Sequence, residues 1–469
     1  MDGVTATAAG LVDELRAAVG AGAVLTDADV TASYARDMMP LAPAGHPLAV
    51  VLPRDTAQVQ AIVRACAARR TPIVPRGAGS GLSGAANAID GCVVLCLARM
   101  NKIIEVDADN RLAVVEPGVV NLELREAVEK RGLFYPPDPS SYDWCTIGGN
   151  LATNAGGLCC VKYGVTTDFV LGLDVVLASG ELLRTGRRTV KGVAGYDLTR
   201  LFVGSEGTLG VITRATVALR PIPQAPATLV ASFGSTAAAG RAVATIVREG
   251  MVPSLMEIMD RTSIRAVQDF QRTTLGKGSD SAALLLCQSD SGGEVARREL
   301  SAIEQACTDA GAELVYATED LAEGRLLLAA RRAVLPALET LGTWLTDDVC
   351  VPRTKITELI EESERIAARL RLTIAVVGHA GDGNMHPTIV YDASSADQTA
   401  RAHRAFGDIL ELGLRLGGTV TGEHGIGKIK QDWLAREIGP VGLDVHRRIK
   451  AALDPHNLFN PGSMFAVRT

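Results

Sequence analysis

The chain has 469 residues, of which 47% are apolar and 21% are charged. This composition excludes a disordered or fibrous chain, and the length predicts two or three domains rather than a single core. A net charge of −6 argues against a nucleic-acid partner.

Strands and helices alternate in the first half of the chain. Residues 9–20 predict an amphipathic helix because their leucines recur on one face. A strand at 48–53, a helix that begins at Thr56 and a strand at 72–76 follow. Further on, an apolar run interrupted at Ser179-Gly180 predicts a β-hairpin.

A cluster of prolines at 221–226 predicts a domain boundary. Strands are predicted beyond it at 228–233, 254–259, 281–287, 313–317, 343–350, 373–378 and 387–391. Helices are predicted between them at 235–249, 293–310, 319–341, 354–370 and 396–416. This pattern indicates an α+β layer, a sheet with helices on one side. From about 428 we expect helix and then a turn-rich tail.

The cysteines and the N-terminus bear on the compartment. The nine cysteines form no C-x-x-C pair and lie mostly in apolar runs, which predicts reduced thiols and a cytoplasmic protein. The acidic N-terminus predicts neither a signal nor a transit peptide. Because no window of about 18 apolar residues occurs, we expect no membrane span, with peripheral membrane contact left open.

The first glycine cluster, PRGAGSGLSG, follows the predicted strand 72–76 and contains G-x-G-x-x-G at Gly79, Gly81 and Gly84. A dinucleotide-binding fold needs a long helix from such a loop, but only a short segment separates Gly84 from the next strand. The cluster therefore predicts a loop. The loop can bring backbone N–H groups close to a diphosphate, or it can be a tight connection between strands.

Two further glycine-rich stretches follow, TIGGNLATNAGG at 146–157 and GSEGTLGVI at 204–212. A rigid proline turn at 136–139 precedes the first of them. Three loops that expose backbone within about 135 residues suit a long ligand with a diphosphate and flat ends better than a single phosphate.

The order of PRGAGSGLSG, PPDPSS, TIGGNLATNAGG and KGVAGYDLTRLFVGSEGTLGVIT resembles flavoproteins of the vanillyl-alcohol oxidase (PCMH) type. Within them it resembles the branch of D-lactate dehydrogenase, glycolate oxidase and D-2-hydroxyglutarate dehydrogenase. The resemblance implies an α+β fold: a PCMH-type FAD-binding domain of two subdomains, and a cap domain with an antiparallel sheet. The implied divisions are an N-terminal helical segment (1–43), the FAD domain (44–222), the substrate and metal domain (223–427) and a C-terminal segment that returns to the flavin (428–469).

The resemblance also implies a set of residues that bind FAD. They are Pro75, Arg76, Gly77, Ala78, Gly79, Ser80, Gly81, Leu82, Pro139, Thr146, Gly148, Gly149, Asn150, Thr153, Asn154, Gly156, Gly157, Glu206, Gly207, Gly210, Ile212 and Asn460. Some relatives of this type attach the flavin covalently through His or Cys. No histidine lies in the glycine loops, and we interpret Cys159 and Cys160 as small packed side chains, so we expect non-covalent FAD.

Six of the seven histidines lie in the last fifth of the chain. His379 ends a predicted strand and His386 follows a glycine hairpin, so their rings can converge; Glu423 and His424 come after the next helix. Two histidines and a carboxylate would leave positions open on a metal ion, as in a catalytic site. The alternative from spacing alone is a set of hydrogen-bonded hairpin residues.

GHxGDGNxH and GEHGIG are also motifs of the resembled family. The resemblance implies that His379, His386 and Glu423 bind a divalent metal, zinc in the first place, with manganese or iron as alternatives. It implies that His424 is the catalytic base and that Arg331 binds the substrate carboxylate. Arg332 is adjacent, so the choice between the two arginines stays open, and either could be a solvated helix residue.

One departure from the family bears on the substrate. D-2-hydroxyglutarate enzymes resemble one another in a lysine for the distal carboxylate, where this chain has Thr346 or Asp347. The resemblance therefore implies an FAD-dependent dehydrogenase of D-lactate or another apolar D-2-hydroxy acid. D-2-hydroxyglutarate dehydrogenase, a glycolate oxidase FAD subunit and a non-redox flavoprotein of the same fold are alternatives. We expect a quinone, a cytochrome or an electron-transfer flavoprotein as electron acceptor, and a homodimer stays open.

Overall fold

A computed structural model describes residues 2–276 and 281–466. Its helices are α1 (Asp2–Val19), α2 (Ala28–Ala32), α3 (Thr56–Ala68), α4 (Asn121–Glu129), α5 (Ile147–Thr153), α6 (Cys160–Tyr163), α7 (Leu198–Phe202), α8 (Thr236–Arg248), α9 (Arg261–Gln271), α10 (Gly293–Asp309), α11 (Leu321–Arg332), α12 (Val334–Glu339), α13 (Ile356–Leu370), α14 (Ala396–Arg415) and α15 (Gln431–Leu453). Its strands are β1 (Val24–Leu25), β2 (Ala49–Val51), β3 (Ile73–Arg76), β4 (Val93–Cys96), β5 (Ile103–Asp107), β6 (Leu112–Val115), β7 (Leu133–Phe134), β8 (Val170–Val176), β9 (Leu182–Gly186), β10 (Val211–Ala218), β11 (Arg220–Pro221), β12 (Ala227–Phe233), β13 (Leu255–Asp260), β14 (Ala283–Ser289), β15 (Ala312–Thr318), β16 (Thr343–Thr346), β17 (Val349–Cys350), β18 (Thr373–His379) and β19 (Asn384–Tyr391).

The chain forms two compact units. The first unit contains the chain up to Gly156, Val165–Ile222 and the chain from Glu423 onward, and the second contains Gly157–Gly164 and Pro223–Gly422. The break after Ile222 falls within the predicted proline boundary. Residues 423–427, predicted at the end of the substrate domain, lie in the first unit.

The first unit holds two main sheets. In one, β2, β4 and β3 are parallel and β1 pairs antiparallel with β2. The predicted helix at Thr56 is α3, and its apolar face is buried against this sheet because those residues recur at helical spacing. The second sheet is antiparallel, in the order β5-β6-β10-β8-β9, and β8 and β9 form the predicted hairpin at Ser179-Gly180.

The second unit is built on an antiparallel sheet in the order β15-β12-β14-β13-β18-β19-β16, with β17 also paired to β19. The predicted α+β alternation is confirmed, but the prediction of helices on one side is wrong. Every residue of β13 and β14 is buried, whereas a sheet with one solvated face would alternate buried and exposed residues. On one face α9 and α12 pack against β13 and β18 in a shared apolar core.

None of the helices in the described ranges is both long enough and apolar enough to cross a membrane. The nine cysteines all lie in those ranges, and no disulfide joins them. The second result agrees with the predicted reduced thiols.

Candidate functional site

The first glycine cluster is a loop, as predicted, since no helix lies between β3 and β4. It folds closely over Arg76 at the end of β3. Gly79 has φ +85°, and a Cβ added there would lie 2.1 Å from Arg76 Nη2. A Cβ on Gly77 would lie 2.5 Å from Thr146 Oγ1. The positive φ favours glycine at 79, an added side chain at 77 would displace the Thr146 hydroxyl, and the first two predicted FAD segments meet at Thr146.

The second glycine-rich stretch is not simply a loop. Residues 147–153 form α5, and Thr146 caps it by accepting a hydrogen bond from Gly149 N at 3.3 Å. Paired glycines disfavour helix, but Ile147, Asn150 and Leu151 are buried, so packing outweighs that preference. Asn154 ends the helix with φ 54°, the left-handed conformation typical of such an end.

The third stretch adjoins the C-terminal tail. Asn460 Nδ2 donates to the carbonyl oxygens of Ala85 and Glu206, both at 2.8 Å. The tail also pairs with β3, since Phe459 bridges Ile73. Asn460 thus links the backbone just after the first glycine cluster to that of the third glycine-rich stretch.

These segments carry the chemistry that a bound diphosphate needs. Arg76 Nη1 and Ser83 Oγ are buried and have no hydrogen-bond partner among the described residues. A buried donor without an acceptor costs about 1–3 kcal/mol, which an anionic ligand oxygen would offset. Burial lowers the pKa of Arg76 from its usual value, while Asp37 opposes that shift. The residues present therefore fit FAD.

The other predicted FAD residues lie on the same unit, apart from Gly157. Thr153 Oγ1 and Asn154 Oδ1 bond backbone groups of Gly149 and Thr167, so these side chains shape the segment. A Cβ on Gly156 would lie 2.4 Å from Glu423 Oε2, which brings this segment against the GEHGIG motif. Gly157 belongs to the second unit, where the chain enters α6.

In the second unit, His379 and His386 converge across the β18–β19 hairpin. His386 pairs with Val377, two residues before His379, so both rings lie on one face of the sheet. Their Nε2 atoms are 3.4 Å apart and the rings are nearly perpendicular. For zinc–nitrogen bonds of about 2.0–2.1 Å, two ligands of a tetrahedral ion are about 3.3–3.4 Å apart. The pair therefore fits a shared ion.

Glu257 on β13 is the functional candidate that the sequence analysis missed. Its side chain is fully buried, and Oε1 lies 2.6 Å from His379 Nδ1 while Oε2 lies 2.9 Å from Arg331 Nη2. Burial raises its pKa, but the positive charges of His379 and Arg331 outweigh burial and hold it below the usual value. A lone carboxylate in the apolar run SLMEIM was the available signal.

Glu257 organises both neighbours. A carboxylate on Nδ1 turns Nε2 of a metal-binding histidine toward the ion, which is the usual second partner of such a ligand. Of the two candidate arginines, Arg331 is the one that pairs with Glu257. Arg331 Nε is buried and has no hydrogen-bond acceptor within the described chain, so it can donate to an anionic partner.

The strand end beside His386 is acidic. Thr346 Oγ1 accepts from Thr388 Oγ1 at 3.1 Å, and Thr388 lies two residues from His386 on the same face. Asp347 and Asp348 follow Thr346 and are both fully buried. Asp348 Oδ2 accepts from Thr421 Oγ1 at 2.7 Å. This region offers carboxyl and hydroxyl groups.

Glu423 and His424 lie in the first unit, and both side chains are largely buried. Their Oε1 and Nε2 atoms are 3.7 Å apart. The two predicted histidine ligands thus belong to one unit, and the predicted third ligand and base belong to the other.

The third FAD segment contacts the GEHGIG motif through Glu206. Both oxygens of this buried carboxylate accept backbone hydrogen bonds at 2.7 Å, from Ile426 N and Gly427 N. Burial raises the pKa of Glu206 to about 7, against the lowering effect of those bonds. The predicted cofactor residue thus directs its side chain to another loop.

Two protein-family models match the chain: "FAD binding domain" over residues 47–186 and "FAD linked oxidases, C-terminal domain" over residues 222–464. The chain is similar to glycolate oxidase subunit GlcD of Bacillus subtilis (strain 168), with 43% identity over 90% of this chain and 89% of that protein. It is also similar to D-lactate dehydrogenase of Anaerostipes hadrus, with 34% identity over 94% of each chain.

Among solved structures, p-cresol methylhydroxylase with substrate bound matches with a TM-score of 0.81, at 20% identity, over 98% of this chain and 97% of that one. Alkyldihydroxyacetonephosphate synthase matches with a TM-score of 0.76, at 19% identity, over 97% of this chain and 84% of that one. At these identities the likeness is one of fold, and it confirms the predicted PCMH-type α+β architecture.

Proposed function

Because the chain belongs to the FAD-linked oxidase family and is an FAD-dependent oxidoreductase of the D-lactate dehydrogenase and glycolate oxidase subunit type, we propose that it oxidises a D-2-hydroxy monocarboxylate to the 2-oxo acid. D-Lactate is the proposed substrate. A separate electron acceptor, a quinone, a cytochrome or an electron-transfer flavoprotein, reoxidises the enzyme.

One observation carries this proposal: the buried series Arg331–Glu257–His379–His386. It sets a cation for a carboxylate beside two imidazoles at the spacing of metal ligands. A 2-hydroxy acid carries its carboxylate and its hydroxyl on adjacent carbons, so it can use the cation for the carboxylate and a metal ion on the imidazoles for the hydroxyl. We propose that His379, His386 and Glu423 hold a divalent ion, zinc first, with Glu423 assigned by its motif.

FAD held by the glycine-rich segments would supply the hydride acceptor, and a divalent ion held by His379, His386 and Glu423 would supply a Lewis acid for the substrate hydroxyl. Arg331 pairs with the substrate carboxylate and fixes the orientation of the molecule. His424 takes the hydroxyl proton as general base. Glu257 keeps both Arg331 and His379 in place, so it is a positioning residue in this scheme.

The acidic strand end supports a substrate with one carboxylate. A second carboxylate near Thr346 would meet the buried side chains of Asp347 and Asp348 and no cation on that strand. A second carboxylate beside buried carboxyl groups, with no cation to pair with, costs free energy, which disfavours D-2-hydroxyglutarate.

Glycolate is the second candidate substrate. It shares the carboxylate and adjacent hydroxyl, and the relative from Bacillus subtilis that is named a glycolate oxidase subunit is 43% identical. The two substrates differ only in a methyl group, so the same residues would serve both.

A substrate panel tests the proposal. Anaerobic enzyme with FAD is mixed with D-lactate, L-lactate, glycolate and D-2-hydroxyglutarate, and loss of flavin absorbance is followed. A dye acceptor and oxygen consumption are then measured in parallel. We expect rapid bleaching by D-lactate or glycolate and little by the others. Failure of every 2-hydroxy acid to bleach the flavin would contradict the proposal and favour a non-redox flavoprotein.

A further inference from the structure

Glu206 has an unusual environment for a residue in a cofactor-binding loop. It is 5% exposed and adopts φ 52°, a left-handed conformation that side chains other than glycine rarely adopt. Its backbone is fixed on both sides, since its N–H donates to Ala152 O at 2.8 Å and its carbonyl accepts from Asn460 Nδ2. A strained backbone and a buried charge are retained together only when the surroundings determine them.

The carboxylate of Glu206 is occupied by the loop that carries Glu423 and His424. Ile426 N and Gly427 N donate to its two oxygens, and Ser463 Oγ is 3.5 Å from Oε2. Backbone bonds to a charged acceptor are roughly twice as strong as neutral ones. The two donors come two and three residues after His424, so these hydrogen bonds lie close in sequence to the proposed base.

The same loop is shaped to receive this carboxylate. Gly425 has φ +88°, and a Cβ there would lie 2.8 Å from Glu206 Oε1. Gly427 approaches Ser83 so closely that its Cβ would lie 2.0 Å from Ser83 O. On the other side of the motif, Gly156 lies against Glu423. The loop from Glu423 to Gly427 is therefore enclosed by all three glycine-rich segments of the first unit.

We propose that Glu206 is a positioning residue for Glu423 and His424: its carboxylate fixes the backbone of their loop and does not itself bind FAD. The proposal rests on the proposed function, because it assigns Glu423 and His424 the roles given there. Under this proposal the third glycine-rich segment has two roles. Its backbone belongs to the cofactor site, and its one acidic side chain belongs to the loop with the base.

Glu206→Gln tests this proposal because it keeps the size of the side chain and replaces one acceptor oxygen with an NH₂ group that faces a backbone N–H. Hydrogen–deuterium exchange of the peptide around 422–431 is measured first, since it needs neither substrate nor turnover. We expect at least about tenfold faster exchange at Ile426 and Gly427, because one of the two bonds is lost and the other becomes a bond to a neutral amide. FAD affinity should change less than threefold.

With D-lactate or glycolate, the rate of flavin reduction in Glu206→Gln should fall by about 100-fold, as expected when a catalytic group is misplaced by about 1 Å. KM should change less than threefold, and reduction by dithionite should match wild type. Asp260→Asn is the matched control. Asp260, at the end of β13, is a fully buried carboxylate that accepts hydrogen bonds from N and Oγ of Ser263 on α9. We expect it to lower stability and leave exchange at 426–427 unchanged.

The outcomes separate the two proposals. If FAD affinity falls while exchange at 426–427 is unchanged, Glu206 is a cofactor ligand and the positioning role is wrong. The positioning role is also wrong if both the exchange and the rate of flavin reduction are unchanged. If Glu206→Gln does not fold, Gly425→Ala, which presses a methyl group on Glu206 from the loop side, must show the same faster exchange. Should wild type not be reduced by any 2-hydroxy acid, the proposed function fails, while the exchange result still decides the contact.

Discussion

The FAD segments of the first unit differ in construction from the sheet face of the second unit that carries His379 and His386, here called the histidine face. The FAD segments rely on backbone: glycines at Gly77 and Gly79 let the chain approach Arg76 and Thr146. The histidine face relies on side chains held by a buried carboxylate, Glu257. A backbone site is damaged by adding atoms, whereas a side-chain site is damaged by removing a charge or a ring nitrogen. Substitutions of the two kinds should therefore have separable effects.

The largest expected effect comes from the histidine face. His386→Ala removes one of the three proposed metal ligands and leaves the glycine segments untouched. We expect flavin reduction by D-lactate or glycolate to slow by about 1,000-fold, since a metal ion contributes several kcal/mol to such a step. Bound FAD should stay stoichiometric. Full activity in wild type after EDTA treatment and confirmed metal removal would contradict the metal assignment.

Adding one methyl group to the FAD segments should lower FAD affinity and leave metal binding unchanged. In Gly79→Ala the new Cβ overlaps Arg76 in a backbone conformation that alanine disfavours, so we expect FAD affinity to fall by about 100-fold. Metal content should stay at the wild-type level. FAD affinity is measured by fluorescence titration of the apoprotein.

Gly91→Ala is the matched control for Gly79→Ala. Gly91 has φ +71° and nothing within 4 Å of an added Cβ, so it reports backbone strain alone. Equal losses of FAD affinity in the two variants would show that strain, and not the overlap with Arg76, controls the site.

Glu257→Gln probes how far the histidine face depends on its buried charge. Loss of the carboxylate partner of a metal-binding histidine typically lowers metal affinity by about 10–100-fold. We expect that loss in a zinc titration, with FAD affinity unchanged. If Asp260→Asn on the same strand lowers zinc affinity equally, a general weakening of β13 explains the result instead.

The smallest expected effect concerns substrate binding. Arg331→Lys keeps a positive charge but loses the planar fork, so KM for D-lactate or glycolate should rise by about tenfold with a smaller change in kcat. Arg332→Lys should change KM less than twofold. The reverse order would show that Arg332 is the carboxylate-binding residue.

The pattern of the sequence was sufficient for elements whose signal is local. The spacing of apolar residues predicted α3, most strands of the second unit and the β8–β9 hairpin. The single strand predicted at 343–350 is instead β16 and β17, and helix α9 was not predicted. The short interval after Gly84 correctly excluded a long helix. Helix α5 was missed because its glycines disfavour helix locally, while burial of Ile147 and Leu151 decides the outcome.

The residues that organise the site depend on contacts far apart in the chain. Glu257 and His379 are 122 residues apart, and Glu206 and Ile426 are 220 apart. No local spacing encodes such partners, so Glu257 was missed and the contact of Glu206 with Ile426 was not predicted. Coverage of both sheet faces in the second unit likewise depends on helix packing and not on the strands' own pattern.

The pairing of Phe459 and Asn460 with Ile73 bears on how the protein is made. β3 is synthesised early, yet the segment that completes its edge emerges only after the whole second unit. The second unit is mostly one continuous stretch, whereas the first is complete only when residues 459 and 460 have been made. Stable loading of the cofactor should therefore await these residues, and a nascent chain stopped at Gly422 should retain little FAD.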